Sequence, residues 1–159
     1  MRGLQEKIAR ESLKAFQPWL IGTASLALLF FDRWLKWYAN SRPGGGTADF
    51  FYFSYAVNPV AVFSLPISVV ILVPLGLMAL ATLFYLGWRA WQQQHNFKLW
   101  GASLMLIGGL SNLFDRLWLA GVGDIFHVGG LSFNLADLYL LLGLGLMLFK
   151  TNKRQLAGG

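Results

Sequence analysis

The sequence has no cysteine and few charged residues, and each shortage excludes a class of protein. Only 13% of its 159 residues are charged, 56% are hydrophobic, and the mean hydropathy is +0.53. Without cysteine there are no disulfides and no thiolate metal sites. The two histidines, His95 and His127, lie far apart and no HExxH pattern occurs, so we expect neither a metal site nor a cofactor. This composition predicts a membrane protein.

The net charge of +6 is explained by orientation in a bilayer rather than by nucleic acid. Nine lysines and arginines fall in the N-terminal segment 1–17, the polar loop 89–98 and the C-terminal end, against four elsewhere. Because cytoplasmic segments carry the excess of Lys and Arg, this asymmetry predicts that both termini are cytoplasmic. No nucleic-acid partner is expected.

Four apolar stretches predict transmembrane helices, and together they predict one integral membrane domain over residues 1–159. The fourth is short, about 24 Å at 1.5 Å per residue, so we expect local thinning of the bilayer or an interfacial start there. The basic segment 1–17 before them is either a short amphipathic surface helix or a frayed tail. Residues 40–48 contain Pro43 and three consecutive glycines, which predicts a loop. The four predicted helices cover about residues 19–38, 65–88, 99–117 and 134–149.

Two extended segments are predicted beside these helices. Residues 50–57, FFYFSYAV, are rich in residues that favour strands. Between Asp124 and Asp137, the pair Gly129–Gly130 separates two short apolar runs, which is typical of a hairpin turn. The pairs that this turn predicts are Val128 with Leu131, Phe126 with Phe133, and Asp124 with Leu135. The predicted fold is therefore an all-α membrane protein of four transmembrane helices with a small extracytoplasmic β hairpin.

Polar residues concentrate in the stretch 108–139, in an otherwise apolar sequence. Such groups are costly to desolvate at a membrane edge, so they require a reason. The hairpin brings Asp124 near the start of the fourth helix, where Asp137 stands. Two close carboxylates tend to share one proton, so that one activates water and the other donates a proton. We interpret them as a hydrolytic pair.

Structural explanations compete with this interpretation. Asn134 and Asp137 are spaced as a helix cap, and Asp115 beside Arg116 is typical of a local ion pair. Asn112 also fits a bond between helices. The remaining polar residues have local explanations too: Asp32 and Lys36 share a helix face, and His127 is expected to be an exposed strand residue.

Five motifs, in this order, give the sequence a recognisable pattern: DRWLK, NPVAVFS, GGLSNLFDR, VGDIF and FNLAD. The set resembles the lipoprotein signal peptidases (signal peptidase II), a family of bacterial aspartyl membrane proteases, over about residues 31–142. The resemblance implies that Asp124 and Asp137 are the catalytic pair. The supporting polar residues that it implies are Asn58, Asn112, Arg116 and Asn134, with Asp32, Lys36 and Asp115 in structural roles.

The same resemblance implies a substrate and a location. Family members remove the signal peptide from prolipoproteins, cutting before a cysteine that carries diacylglycerol. We accordingly expect a monomeric, multi-pass protein of the bacterial inner membrane that contacts membrane lipid, with its active site at the outer face. This placement agrees with the orientation predicted from charge.

Two other functions compete with proteolysis. In the first motif, Val60 and Val62 replace the usual glycine and alanine of the family, and Gly123 replaces a usual valine. A family member that binds lipopeptides without cleaving them is therefore an alternative. A small transporter or channel subunit is disfavoured, because its polar residues would lie near the middle of the helices.

Overall fold

The computed structural model describes residues 2–42, 50–59 and 68–148. It is mostly helical, with a three-stranded antiparallel sheet at one end. The helices are α1 (Arg2–Asn40), α2 (Val69–Gln92), α3 (Asn96–Leu119) and α4 (Leu135–Leu148), and the strands are β1 (Phe51–Asn58), β2 (Val122–Val128) and β3 (Leu131–Phe133).

The first helix is longer than the sequence predicts. We expected it to begin near residue 19, after Pro18, but α1 begins at Arg2 and continues through Pro18. An interior proline lacks its N–H and costs a helix about 3 kcal/mol. The preceding residues are mainly Arg, Lys, Glu, Gln, Leu and Ala, which are strong helix formers. The helical alternative for segment 1–17 is thus observed, but as part of α1 rather than as a separate helix.

The other three helices lie within four residues of their expected bounds. Ser68 caps α2 by accepting a hydrogen bond from the N–H of Val70, so this helix begins after the predicted residue 65. Two described helices, α2 and α3, are long and apolar enough to cross a membrane, whereas α4 is apolar but shorter. None of the most apolar window of α2 is buried inside the protein, as expected for a helix that faces lipid.

Small residues let α3 pack closely against α4 and α2. A Cβ atom on Gly101 would lie 2.7 Å from the carbonyl oxygen of Gly143, and one on Gly108 would lie 2.5 Å from that of Ala136. On a neighbouring face of α3, Ala102 faces Gly87 of α2. Glycine at such positions allows two helix backbones to approach each other. This packing fixes the N-terminus of α4 against the C-terminal half of α3.

The sheet has the order β1–β2–β3, and its hairpin confirms two predicted pairs. Gly129 and Gly130 both have positive φ and form the turn, with Val128 opposite Leu131 and Phe126 opposite Phe133. The third predicted pair is wrong, because the ladder ends at Phe133 and Asp124 faces β1 instead. The strand predicted at residues 50–57 is β1, which pairs antiparallel with β2.

Candidate functional site

Asp124 lies on β2, the central strand, and its side chain is buried. The Asn58 side chain at the end of β1 donates a hydrogen bond to its Oδ2 atom over 3.0 Å. The Asn134 side chain donates to its Oδ1 atom over 3.1 Å. Both carboxylate oxygens are therefore oriented by neutral amides from two other parts of the fold.

Asp137 lies in the first turn of α4, where Asn134 caps the helix. The N–H of Asp137 donates to Oδ1 of Asn134, and the N–H of Asn134 donates to Oδ2 of Asp137, each over 3.1 Å. This reciprocal arrangement is a capping box. Asn112 on α3 donates to the other Asp137 oxygen over 2.8 Å. The capping interpretation is thus confirmed, and it coexists with a contact to α3.

One side chain connects the two aspartates. The Asn134 amide nitrogen donates to Asp124 and, over 3.3 Å, to Oδ1 of Asn112. The Asn112 side-chain nitrogen in turn donates to Asp137. We call this the amide–carboxylate network; its members are Asn58, Asn112, Asp124, Asn134 and Asp137. It joins β1, α3, β2 and α4.

The electrostatics of Asp124 follow from its surroundings. Burial raises the pKa of Asp124 above its ordinary value, and the negative charge of Asp137 raises it further, against the hydrogen bonds from Asn58 and Asn134, which lower it. A protonated carboxylic acid is therefore favoured at this position relative to an exposed aspartate. The site combines this acid with a second carboxylate on a helix N-terminus, where negative charge is stabilised.

Arg116 was expected to support the site and also to pair with Asp115. In the structure, its guanidinium donates to the backbone carbonyl oxygen of Asn112 over 3.2 Å. The predicted ion pair with Asp115 is wrong, because Asp115 is 2.6 Å from Arg33 and 2.7 Å from Lys36. Successive helix residues point in different directions, so Asp115 faces α1 instead.

Asp115 belongs to a charged cluster between α1 and α3 that balances two acids with two bases. Asp32 is fully buried, and it contacts Arg33 at 3.0 Å and Lys36 at 3.4 Å. The predicted Asp32–Lys36 pair is therefore present, as part of this larger set. The Ser111 hydroxyl also bonds to Asp32. The charged cluster consists of Asp32, Arg33, Lys36, Ser111 and Asp115.

Arg33 and Ser111 were not among the predicted site residues. Arg33 donates to both aspartates of the charged cluster and to Ser111. Its partners on α3 are about 80 positions away in the sequence, so no local spacing pointed to them. The available signal was the position of Arg33 beside Asp32 near the end of an apolar stretch, where a cation within the membrane requires a partner.

His127 was expected to be exposed, and this prediction is wrong. It is 5% exposed, and its ring stacks on that of Tyr52 with centroids 4.6 Å apart. Val60 and Val62 of the first motif lie outside the described residues. Among the residues that the structure describes, no group of three or more His, Cys, Asp or Glu is placed to hold a metal ion.

Comparison with known proteins finds a matching protein family and similar sequences. The family model described as signal peptidase (SPase) II matches residues 24–153. A lipoprotein signal peptidase of Desulfitobacterium hafniense is 35% identical over 105 residues, which is 63% of this chain and 68% of that protein. A lipoprotein signal peptidase of Methylocella silvestris is 36% identical over 80 residues, covering 47% of this chain and 46% of that one.

Solved structures with the same fold are also known. One bacterial membrane enzyme, determined by the in meso method, has a TM-score of 0.65 at 19% identity, covering 82% of this chain and 84% of its own. A second has a TM-score of 0.66 at 21% identity, covering 86% and 92%. At these identities the likeness concerns the fold.

Proposed function

The chain belongs to the signal peptidase II family and is a protease that processes lipoproteins, and we propose that Asp124 and Asp137 are its catalytic pair. The substrate is a prolipoprotein, and the bond cut is the one that joins the signal peptide to a cysteine carrying diacylglycerol. The protein is thus an aspartic endopeptidase.

The observation that carries this proposal is the double role of Asn134. Its amide nitrogen bonds to Asp124 while its carbonyl oxygen and backbone N–H bond to Asp137. A residue that only capped α4 would have no need of a buried carboxylate from β2. The arrangement holds two acids from different elements in one low-dielectric site, which is the requirement for general acid–base hydrolysis.

The different environments of the two aspartates suggest their roles. Asp137 accepts hydrogen bonds from the Asn112 side chain and the Asn134 N–H, so it serves as the ionised base that takes a proton from the attacking water. Asp124 carries a raised pKa and gives its proton to the scissile carbonyl oxygen. The C–N bond of the resulting gem-diol then breaks as the amine of the cysteine takes the proton held on Asp137, and one hydroxyl of the gem-diol returns its proton to Asp124.

We further propose that all four helices cross the bilayer, as one membrane domain over residues 1–159. The 24 residues of α2 span about 36 Å at 1.5 Å per residue, enough for a hydrocarbon core of about 30 Å. The 14 residues of α4 span about 21 Å, which requires local thinning of the bilayer. Both termini are cytoplasmic, and the site faces the outer side of the inner membrane of a bacterium. The protein acts there as a monomer in contact with lipid.

The supporting residues take positions around the pair. Asn58, Asn112 and Asn134 orient the two carboxylates. Arg116 contacts neither carboxylate through this bond; it donates to the Asn112 backbone carbonyl oxygen and so positions Asn112. The charged cluster, with Asp32, Lys36 and Asp115, positions the backbone on either side of the site.

A cleavage assay in detergent tests the proposal. A diacylated prolipoprotein is incubated with the parent chain, Asp124→Asn, Asp137→Asn and Asp49→Asn, the last making the same change in the segment before β1. We expect the parent and Asp49→Asn to cleave, and each site variant to lose at least about 100-fold in rate. Normal turnover by either site variant would contradict the catalytic pair.

The same assay distinguishes the lipopeptide-binding alternative that Val60 and Val62 raise. A parent chain that binds a fluorescent diacylated peptide but leaves it intact would support binding without hydrolysis. The bound peptide is measured by anisotropy on the same samples. Cleavage of that peptide by the parent would exclude the alternative.

A further inference from the structure

The strand β1 contains a bulge next to the candidate site. The register pairs Phe53 with Phe126 and then Ala56 with Asp124, so two residues of β1 stand opposite the single residue Ile125 of β2. An extra residue of this kind bends the strand and re-aims the side chains that follow it. Bulges are frequent beside active sites for that reason.

The bulge determines which face of the sheet Asn58 occupies. Side chains alternate between the two faces of a strand, so a shift of one residue exchanges the faces. Without the bulge, Tyr55 and Val57 would share the face of Asp124. With it, Asn58 comes to that face, and its amide reaches the Asp124 carboxylate at 3.0 Å.

His127 holds the bulge in place. Its Nε2 atom is 3.0 Å from the carbonyl oxygen of Ser54, a residue of the bulge. A carbonyl oxygen only accepts, so Nε2 carries the proton and donates. The Nδ1 atom is 2.8 Å from the Ser132 hydroxyl on β3, and the ring stacks on Tyr52 of β1. One buried ring on β2 therefore connects both neighbouring strands at the bulge.

We infer that His127 is a positioning residue for the proteolytic reaction: its bond to Ser54 keeps the bulge formed and so keeps Asn58 on Asp124. His127 lies two positions beyond Ile125 and is on the opposite face from Asp124, so it contacts no reacting atom itself. The inference rests on the proposed function, because it assigns a role relative to Asp124.

The first test compares His127→Phe with His127→Gln. Phenylalanine keeps a ring against Tyr52 but removes both hydrogen bonds, whereas glutamine keeps an amide donor. We expect His127→Phe to lower kcat about 10- to 100-fold, the cost of a small misplacement at a site, with little change in KM. His127→Gln should recover most of that loss. His95→Phe, the same change at the only other histidine of the sequence, should match the parent.

A double variant tests whether His127 acts through Asn58. If it does, His127→Phe combined with Asn58→Leu should cleave no more slowly than Asn58→Leu alone, because the second change removes the group that the first one displaces. If His127→Phe only lowered stability in general, it would reduce the cleavage rate by the same factor whether it is introduced into the parent or into Asn58→Leu. Additive losses, or an unaltered rate for His127→Phe, would overturn the inference.

A measurement independent of catalysis completes the test. Hydrogen–deuterium exchange of residues 51–58 should be faster in His127→Phe than in the parent and unchanged in His95→Phe. Unchanged exchange in His127→Phe would overturn the inference whatever the activity. Asp124→Asn, assayed alongside, separates the two proposals: full activity there contradicts the catalytic pair, while the exchange result still decides whether His127 holds the bulge.

Discussion

The backbone N–H of Ala136 donates a hydrogen bond over 3.2 Å to the carboxylate of Asp32, 104 positions earlier in the chain. The N–H of Gly123 makes the equivalent bond to Asp115 over 3.1 Å. Ala136 directly precedes Asp137, and Gly123 directly precedes Asp124. The charged cluster therefore holds the backbone beside each of the two candidate catalytic aspartates and fixes their separation.

Removing one acid from the charged cluster should be strongly destabilising. Asp32→Ala leaves Lys36 and Arg33 with one carboxylate between them and removes a bond to α4. Loss of one member of a buried ion pair costs about 3–5 kcal/mol. We expect a markedly lower unfolding temperature in detergent, together with loss of cleavage.

Two further variants serve as controls for Asp32→Ala. Asp32→Asn keeps an oxygen for Ala136 while removing the charge, so its unfolding temperature should lie between those of the parent and Asp32→Ala. Arg42→Gln removes an exposed charge two residues after α1 together with its contact to the Tyr38 ring, 4.5 Å from the ring centroid, and should be within about 1 kcal/mol of the parent. Equal stability of Asp32→Ala and the parent would show that the charged cluster does not support the fold.

The close approach of α3 and α4 gives a second prediction, at Gly108. An added Cβ there would lie 2.5 Å from the Ala136 carbonyl oxygen, so Gly108→Ala must push the start of α4 away from α3. Overpacking of this kind costs about 1–3 kcal/mol, and the shift moves Asp137 relative to Asn112. We expect lower stability and slower cleavage, measured by thermal unfolding and by the prolipoprotein assay.

Gly145 provides the matched control on α4. Nothing lies within 4 Å of a Cβ at that position, and alanine is favoured over glycine in a helix by about 0.5–1 kcal/mol. Gly145→Ala should therefore be as stable as the parent or slightly more stable, with the same rate. A Gly108→Ala variant that behaves like Gly145→Ala would argue against tight packing at the site.

The dependence of cleavage on pH gives a third prediction. Because Asp124 must be protonated to act as the acid, kcat should fall as the pH rises through its pKa, which burial holds above the ordinary value. The hydrogen bond from Asn58 stabilises the ionised form and lowers that pKa. In Asn58→Leu the pKa should rise, so the descending limb of kcat should move to higher pH.

The position of that limb is measured from full pH profiles at saturating substrate. Gln93→Leu removes an exposed amide in the turn between α2 and α3, and its profile should coincide with that of the parent. If the descending limb of kcat moves to lower pH in Asn58→Leu, or stays in place, Asn58 does not stabilise the ionised form of Asp124.

Local chemistry made part of this site predictable from the sequence. The turn at Gly129–Gly130 fixes its own register, since two glycines with positive φ determine which residues face each other. The cap formed by Asn134 and Asp137 depends only on a spacing of three residues at a helix start. Both features arise within one short segment, so composition and spacing were sufficient to find them.

The other contacts of the site depend on long-range packing and could not be predicted from the sequence. Arg33 meets Asp115 only because α1 packs on α3, and the sequence offered Arg116 as a nearer partner. His127 is buried because β1 pairs with β2 and brings Tyr52 and Ser54 against its ring, which no local pattern in β2 indicated. The start of α1 shows the reverse case, in which a local signal was misleading. Pro18 predicted a helix start, but the helix formers on both sides of it continue the helix back to Arg2.

The proposed orientation in the membrane gives the last prediction, and the absence of cysteine makes it simple to test. A single introduced cysteine is the only thiol in the chain, so a membrane-impermeant maleimide reports its side without background. Leu131 lies at the hairpin and is 73% exposed, and Gln93 is exposed in the turn between α2 and α3. In intact spheroplasts we expect Leu131→Cys to be labelled and Gln93→Cys to be labelled only after permeabilisation. The reverse pattern would place the candidate site on the cytoplasmic side, where it would meet prolipoproteins before their export, and the proposed topology would be wrong.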